Sequence, residues 1–264
     1  MRQNSTKALL RAGKPALGTW LSMCNPMGTR MLASAGWNWL TLDLEHTGTS
    51  WESAAHLCGL IADQGCAPLI RVPSNRHDHI KRALDIGAFG VVVPMVNSVE
   101  EARHAVAACK YPPVGNRSVG GSLHAMHFQA RPADYFRRAD EEILVVLQCE
   151  HIDAVRNADA IFGVPGIDAI FVGPNDLAAS MRGKDGSPPT TEATAKAHAD
   201  ILAACQRQKV APGFHAMNHL EAVKLLADGW KFVAVASDLR FLGDGATEAL
   251  KTVGLGSGEG MARY

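Results

Sequence analysis

Short, almost unbroken apolar runs recur along the chain, separated by longer stretches whose apolar residues fall at helical spacing. Runs of this kind, rich in branched residues, suit strands buried on both faces of a parallel sheet. The first is Ala16–Leu21, with a short helix expected from Thr29 to Ala35. Trp39–Leu42 follows, ends in Asp43-Leu44-Glu45-His46, and precedes a helix from Trp51 to Asp63. Ala67–Ile70 ends in Arg71, and a helix from Asp78 to Asp85 stops at Gly87, a residue suited to a left-handed cap. Gly90–Pro94 leads to a helix from Val99 to Lys110. Ile143–Glu150 and Asp168–Val172 flank a crossover helix within His151–Ile161. Ala211–Phe214 and Phe232–Ala236 complete the strands, with helices at Thr191–Arg207, His219–Asp228 and Leu239–Val253.

Eight strands, each followed by helix, predict an α/β protein with a single (β/α)8 TIM barrel, and 264 residues is a usual length for one. A doubly wound open sheet is the competing arrangement, but the Gly-rich phosphate motif it normally carries after its first strand is missing. Gly254-Leu255-Gly256-Ser257-Gly258 resembles such a motif only superficially; it follows a helix and reads as a flexible tail from about residue 254. The Gly- and Pro-rich section from Tyr111 to Gly121 is an irregular loop, and Asp134–Ala139 a short helix after it. Arg182–Pro189 is an excursion after the strand ending near Asp176.

Charge and cysteine content narrow the function classes. Lys and Arg equal Asp and Glu in number (26 each), which argues against nucleic acid or an anionic membrane as partner. No apolar run is long enough to span a bilayer, and the first residues lack the apolar core of a secretory signal. Six scattered cysteines without a CxxC pair look like reduced thiols, so a cytoplasmic location is expected.

The chemistry gathers where the strands end. Gln148 and Glu150 share one side of their strand, and the following strand brings Asp176 to the same rim. Taken singly, each acid reads as a helix cap. Together they repel unless a cation sits between them, and an inward-facing Gln148 needs partners too, so a site for a hard divalent metal is the better reading. Other strand ends add Asp43, Glu45, His46 and Arg71, then His215 and Asp238. Acid, imidazole and guanidinium on one rim form an active-site constellation.

Gly18-Thr19-Trp20, Asp43-Leu44-Glu45-His46, Leu84-Asp85-Ile86-Gly87-Ala88, the run from Lys110 to Arg117, Gln148-Cys149-Glu150 and Val172-Gly173-Pro174-Asn175-Asp176-Leu177 resemble the HpcH/HpaI aldolase family. The resemblance extends from about residue 16 to residue 250. It implies a metal-dependent class II aldolase that cleaves 4-hydroxy-2-oxo acids to pyruvate and an aldehyde. By motif, Glu150 and Asp176 resemble the metal ligands, for Mg, Mn or Co. His46 resembles the base, Arg71 the group that steadies the enolate oxygen, and Asp85 an acid that raises the basicity of the histidine. Gln148, Asn175, Asp43, Trp20 and Phe214 are the expected substrate contacts. The resemblance also implies a homo-oligomer, with a hexamer as candidate, that exchanges its last helix. Asp85 poses a puzzle, because a helix end in a lone barrel lies on the face opposite the active site; reaching His46 would take irregular geometry or a neighbouring subunit.

The residue types suit the reaction. Imidazole changes charge nearest neutral pH, a metal chelated by the oxo acid takes up electrons, and the guanidinium fork adds positive charge. No lysine falls at a strand end, which argues against a Schiff-base aldolase. Decarboxylation of oxaloacetate, or another use of the same pyruvate enolate, is the alternative, and an idle carboxylate-binding barrel a more distant one.

Overall fold

The computed structural model describes residues 1–255, so the predicted tail from residue 256 onward lies outside the described residues. Eight parallel strands close into a barrel in chain order, β1 (Ala16–Leu21) pairing with both β2 (Trp39–Asp43) and β8 (Phe232–Ser237). Between these run β3 (Ala67–Arg71), β4 (Gly90–Val93), β5 (Leu144–Cys149), β6 (Ala169–Val172) and β7 (Ala211–Ala216). The expected (β/α)8 architecture is thus the observed one.

The outer layer begins with a helix that the hydrophobic pattern did not suggest, α1 (Ser5–Arg11). Its cap residue Asn4 is fully buried and donates to the carbonyls of Phe89 and Glu142 at 2.9 and 3.0 Å. Lys7 reaches Asp168 at 2.8 Å, so polar bonds below β4 and β6 tie this helix down alongside the packing of Leu9 and Leu10 on the core. Then follow α2 (Pro26–Ala33), α3 (Trp51–Asp63), α4 (His77–Asp85) and α5 (Val99–Cys109). Pro26 at the first turn and the Asn25 side chain, which accepts from Met27 and Gly28, start α2 earlier than its apolar residues imply. Gly87 follows α4 at φ 103°, the left-handed cap its sequence position predicts.

The long section after α5 holds α6 (Leu123–His127) and α7 (Pro132–Glu142). It is pinned by Arg117, fully buried over the Tyr111 ring and bonded to Tyr135 and Asp85. The expected crossover helix between β5 and β6 is two short ones, α8 (Ile152–Arg156) and α9 (Ala158–Phe162), broken at Asn157. The remaining helices are α10 (Pro174–Ser180), α11 (Thr191–Gln208), α12 (His219–Ala227) and α13 (Asp238–Thr252). Aromatic rings fill the barrel interior: Trp39 stacks on Phe232 at 4.3 Å, and Phe171 meets Phe232 edge-on at 5.8 Å. Among the described residues no helix is long and apolar enough to cross a membrane.

Candidate active site at the strand ends

Gln148 and Glu150 come off the inner face of β5 as the alternation requires, and only 2% and 3% of their surface is exposed. The Glu150 carboxylate is held at both oxygens. Oε1 accepts the Met95 backbone N–H at 2.7 Å, and Oε2 accepts the Gln148 side-chain N–H at 2.6 Å. Bonding in this way fixes the Gln148 amide and leaves its Oε1 buried without a partner. Gly173, just past β6, makes room for the carboxylate, since a Cβ there would stand 2.6 Å from Glu150 Oε2. Asp176 lies within the first turn of α10, exposed; the helix begins at Pro174, ahead of Asp176 rather than after it.

At the ends of β2 and β3, with β4 between them and β5, Arg71 grips Asp43 with Nε–Oδ1 at 2.9 Å and Nη2–Oδ2 at 2.6 Å, and Glu45 lies 3.1 Å from Nη1. Asp43 Oδ1 also accepts the backbone N–H groups of Glu45 and His46. Asp43, expected as a substrate contact, therefore shapes the turn and aims the guanidinium. The His46 ring is 66% exposed at the mouth, 3.8 Å from Glu45.

Electrostatics link the two halves. Burial pushes the Glu150 carboxyl up to about 7; the Met95 N–H and the Arg71 charge relieve this in part, while Asp176 and Glu45 push it further. Burial also raises Glu45, eased by Arg71 and His46 and reinforced by Asp43 and Asp176. Arg71 is committed to Asp43 and Glu45, and among the described residues no ion pair involves Glu150 or Asp176. Two carboxylates, one of them buried, thus face each other's charge with no ion pair of their own and only Arg71, already paired with Asp43 and Glu45, to offset it, which fits a divalent metal. Among the described residues no three Asp, Glu, His or Cys side chains form a complete cage. The donor set suits a hard ion that keeps positions for water or substrate.

Trp20 lies beneath Arg71, whose guanidinium stands over its ring at 4.6 Å, and the Phe171 ring is 5.7 Å away. Asn175 is exposed beside Asp176 in the same helical turn. Phe214 requires correction. Its ring points outward from β7, packed at 4.8 Å from His198 on α11 and 5.0 Å from Trp230. β7 runs on to Ala216, so alternation puts His215 inside instead, 6.1 Å from Trp20. Asp85 is also apart from the rim within one chain: it ends α4 and pairs with Arg117 at 2.8 Å. Sequence reasoning missed the Met95 N–H, Gly173 and Phe171. Pro94 closing a strand was the available signal for the first, since Met95 follows at φ 53°, a conformation rare for side-chain-bearing residues outside functional sites.

The family model for HpcH/HpaI aldolase/citrate lyase matches residues 16–244. A 4-hydroxy-2-oxo-heptane-1,7-dioate aldolase of Shigella sonnei (strain Ss046) is 38% identical over 248 residues, covering 94% of both chains. The crystal structure of an HpcH/HpaI aldolase/citrate lyase family protein from Burkholderia cenocepacia J2315 superposes with a TM-score of 0.85 at 32% identity, over 95% of this chain and 99% of that one. The citrate synthase SbnG structure superposes with a TM-score of 0.83 at 25% identity, over 95% and 98%. The strand-end acids, arginine and histidine described above lie within the matched segment, and the chain belongs to the HpcH/HpaI aldolase/citrate lyase family of carbon–carbon lyases.

Proposed function

We propose that the chain is a divalent-metal-dependent class II aldolase, cleaving 4-hydroxy-2-oxo acids to pyruvate and an aldehyde and catalysing the reverse addition. The observation that carries this reading is the buried Glu150, without an ion pair and beside Asp176, facing a guanidinium already oriented by Asp43. A divalent ion (Mg, Mn or Co) held by Glu150 and Asp176 supplies, when bound, an electrophile for the oxo acid. Arg71 keeps further N–H groups beyond those spent on Asp43 and Glu45, and these stabilise the negative charge that gathers on the ketone oxygen as C3–C4 breaks. His46, exposed at the mouth where an aldehyde leaves, takes the proton of the C4 hydroxyl. Gln148 fixes the Glu150 carboxylate and offers its free Oε1 to the substrate, and Trp20 and Asn175 border the same space. Asp85 can act on His46 only from a second copy, given its place on this chain.

Self-association is part of the proposal. No residue of α13 is buried, and Leu239, Phe241, Leu242 and Leu250 are exposed on it, so the helix presents an apolar face that exchange between subunits would cover. The test of the activity is product mass from chelated and metal-reloaded protein given 4-hydroxy-2-oxo acids and, separately, oxaloacetate. An aldehyde product that needs added metal is the expected result. Carbon dioxide from oxaloacetate with no aldehyde from any hydroxy-oxo acid favours decarboxylation instead. Failure of every metal on every oxo acid refutes the reading.

A further inference from the structure

The floor beneath the rim is closed by Trp20, Phe171 and Gln148, which are 6%, 1% and 2% exposed. Apolar rings alone would suit the methyl group of pyruvate. Yet β7 inserts the His215 imidazole among them, 6.1 Å from the Trp20 ring and 6.5 Å, edge-on, from Phe171. None of the hydrogen bonds among the described residues involves this imidazole ring. The imidazole is half-buried, and two polar atoms of the same floor, the Trp20 indole N–H and the Gln148 amide oxygen, are buried without a partner. Buried polar groups are normally hydrogen-bonded, so unpaired ones on the side chains that close the floor of a substrate site call for a ligand group that pairs with them.

Resting on the aldolase reading above, we propose that His215 is a specificity-determining residue for the oxo-acid half of the reaction. With the Trp20 N–H it reads a hydroxyl on the carbon next to the ketone, and the enzyme is adapted to 3-hydroxy-2-oxo acids as nucleophiles. The oxo acid takes the deep position because the aldehyde side is the open one, where His46 is mostly exposed. A hydroxyl matches the floor because it both accepts a hydrogen bond, as from the indole, and donates one, as to an imidazole nitrogen or the Gln148 oxygen. Burial, with the positive charges of Arg71 and Arg240, holds His215 down to about 4. Its ring is therefore neutral near pH 7, which suits a neutral hydroxyl better than a second carboxylate.

The test compares pyruvate with 3-hydroxypyruvate on the metal-loaded full chain. Calorimetric affinity and the rate of C3 proton exchange in deuterium oxide are measured for each, with no aldehyde present. Wild type is expected to favour 3-hydroxypyruvate about tenfold in affinity, the size of one well-made hydrogen bond. His215→Leu abolishes that preference, His215→Gln keeps part of it, and Trp20→Phe, which retains the ring and removes the N–H, reduces it. Equal affinity for the two acids in wild type, or an unchanged ratio in His215→Leu and Trp20→Phe, overturns the inference while proton exchange from pyruvate leaves the aldolase reading standing. No exchange from either acid with Mg, Mn or Co overturns both.

Discussion

A single methyl group at Gly173 should damage the metal site while sparing the barrel. Its φ is −91°, so alanine meets no backbone strain there. The added Cβ, however, would stand 2.6 Å from Glu150 Oε2 and 3.2 Å from Glu150 Cβ. Ordinary contact requires a retreat of roughly 0.5–1 Å. The carboxylate has nowhere to go along its present bonds, already 2.6 Å from Gln148 Nε2 and 2.7 Å from Met95 N. At least one of these charge-assisted bonds must break, a loss of about 1.5–3 kcal/mol. Carried into the metal-competent geometry, this weakens ion binding about 10- to 100-fold. Free Mn2+ measured by electron paramagnetic resonance during titration of Gly173→Ala and wild type gives the two affinities, and circular dichroism checks the fold. Mn2+ binding within twofold of wild type would refute the reasoning, because it would mean that the placement of Glu150 does not govern the site.

Other consequences are equally direct. His46→Ala should lower turnover by about 10²–10⁴ while leaving Mn2+ affinity and thermal midpoint unchanged, since the ring is exposed and bonded to neither acid of the metal pair; an equal loss of Mn2+ affinity would make it a ligand rather than a base. Phe214→Ala should cost about 3–5 kcal/mol in denaturant unfolding, as a core truncation against His198 and Trp230, without altering the choice between oxo acids. Burial lowers Lys7 from 10.5 to about 8, partly offset by Asp168. Between those pH values the unfolded chain holds a proton that the folded chain has released, so stability rises with pH across the window, by about 3 kcal/mol in all. Urea unfolding of wild type and Lys7→Met at pH 7.5, 9 and 10 checks this, wild type gaining on the variant as pH increases; a constant difference would refute it.

How much of this was legible in the sequence depended on which force set each element. The strands announced themselves because burial on both faces demands unbroken apolar runs, and barrel closure followed from their alternation with helices. The placement of Glu150, Asp176, Asp43, His46 and Arg71 at or just past strand ends was legible because chain order sets where each strand stops. Elements held by polar bonds were not legible. The N-terminal helix has just Leu9 and Leu10 against the core, too few apolar positions to show a helical period, and is fixed by Asn4, Lys7 and their partners far along the chain. Likewise the Met95 N–H that fixes Glu150 is a backbone group, and nothing in residue identity signals where it points.

The exchange of Phe214 for His215 shows why one residue matters so much in a strand. An apolar run that stops at Phe214 makes that ring a terminal residue free to line the mouth beside His215. The strand instead continues through His215 to Ala216, with Phe214 paired beside Val233 and His215 beside Ala234. With a period of two, every side chain is then fixed to one face, and the hydrophobic member goes to the helix layer while the polar member goes inside. A polar residue on the inner face of a barrel is therefore not an interruption of the strand. It marks the face on which the interior ceases to be mere packing, as Gln148, Arg71 and Asp43 mark it on β5, β3 and β2. His215 extends that polar ring to β7, and the same alternation that gathers the other polar strand-end residues on the inner face also places the imidazole there.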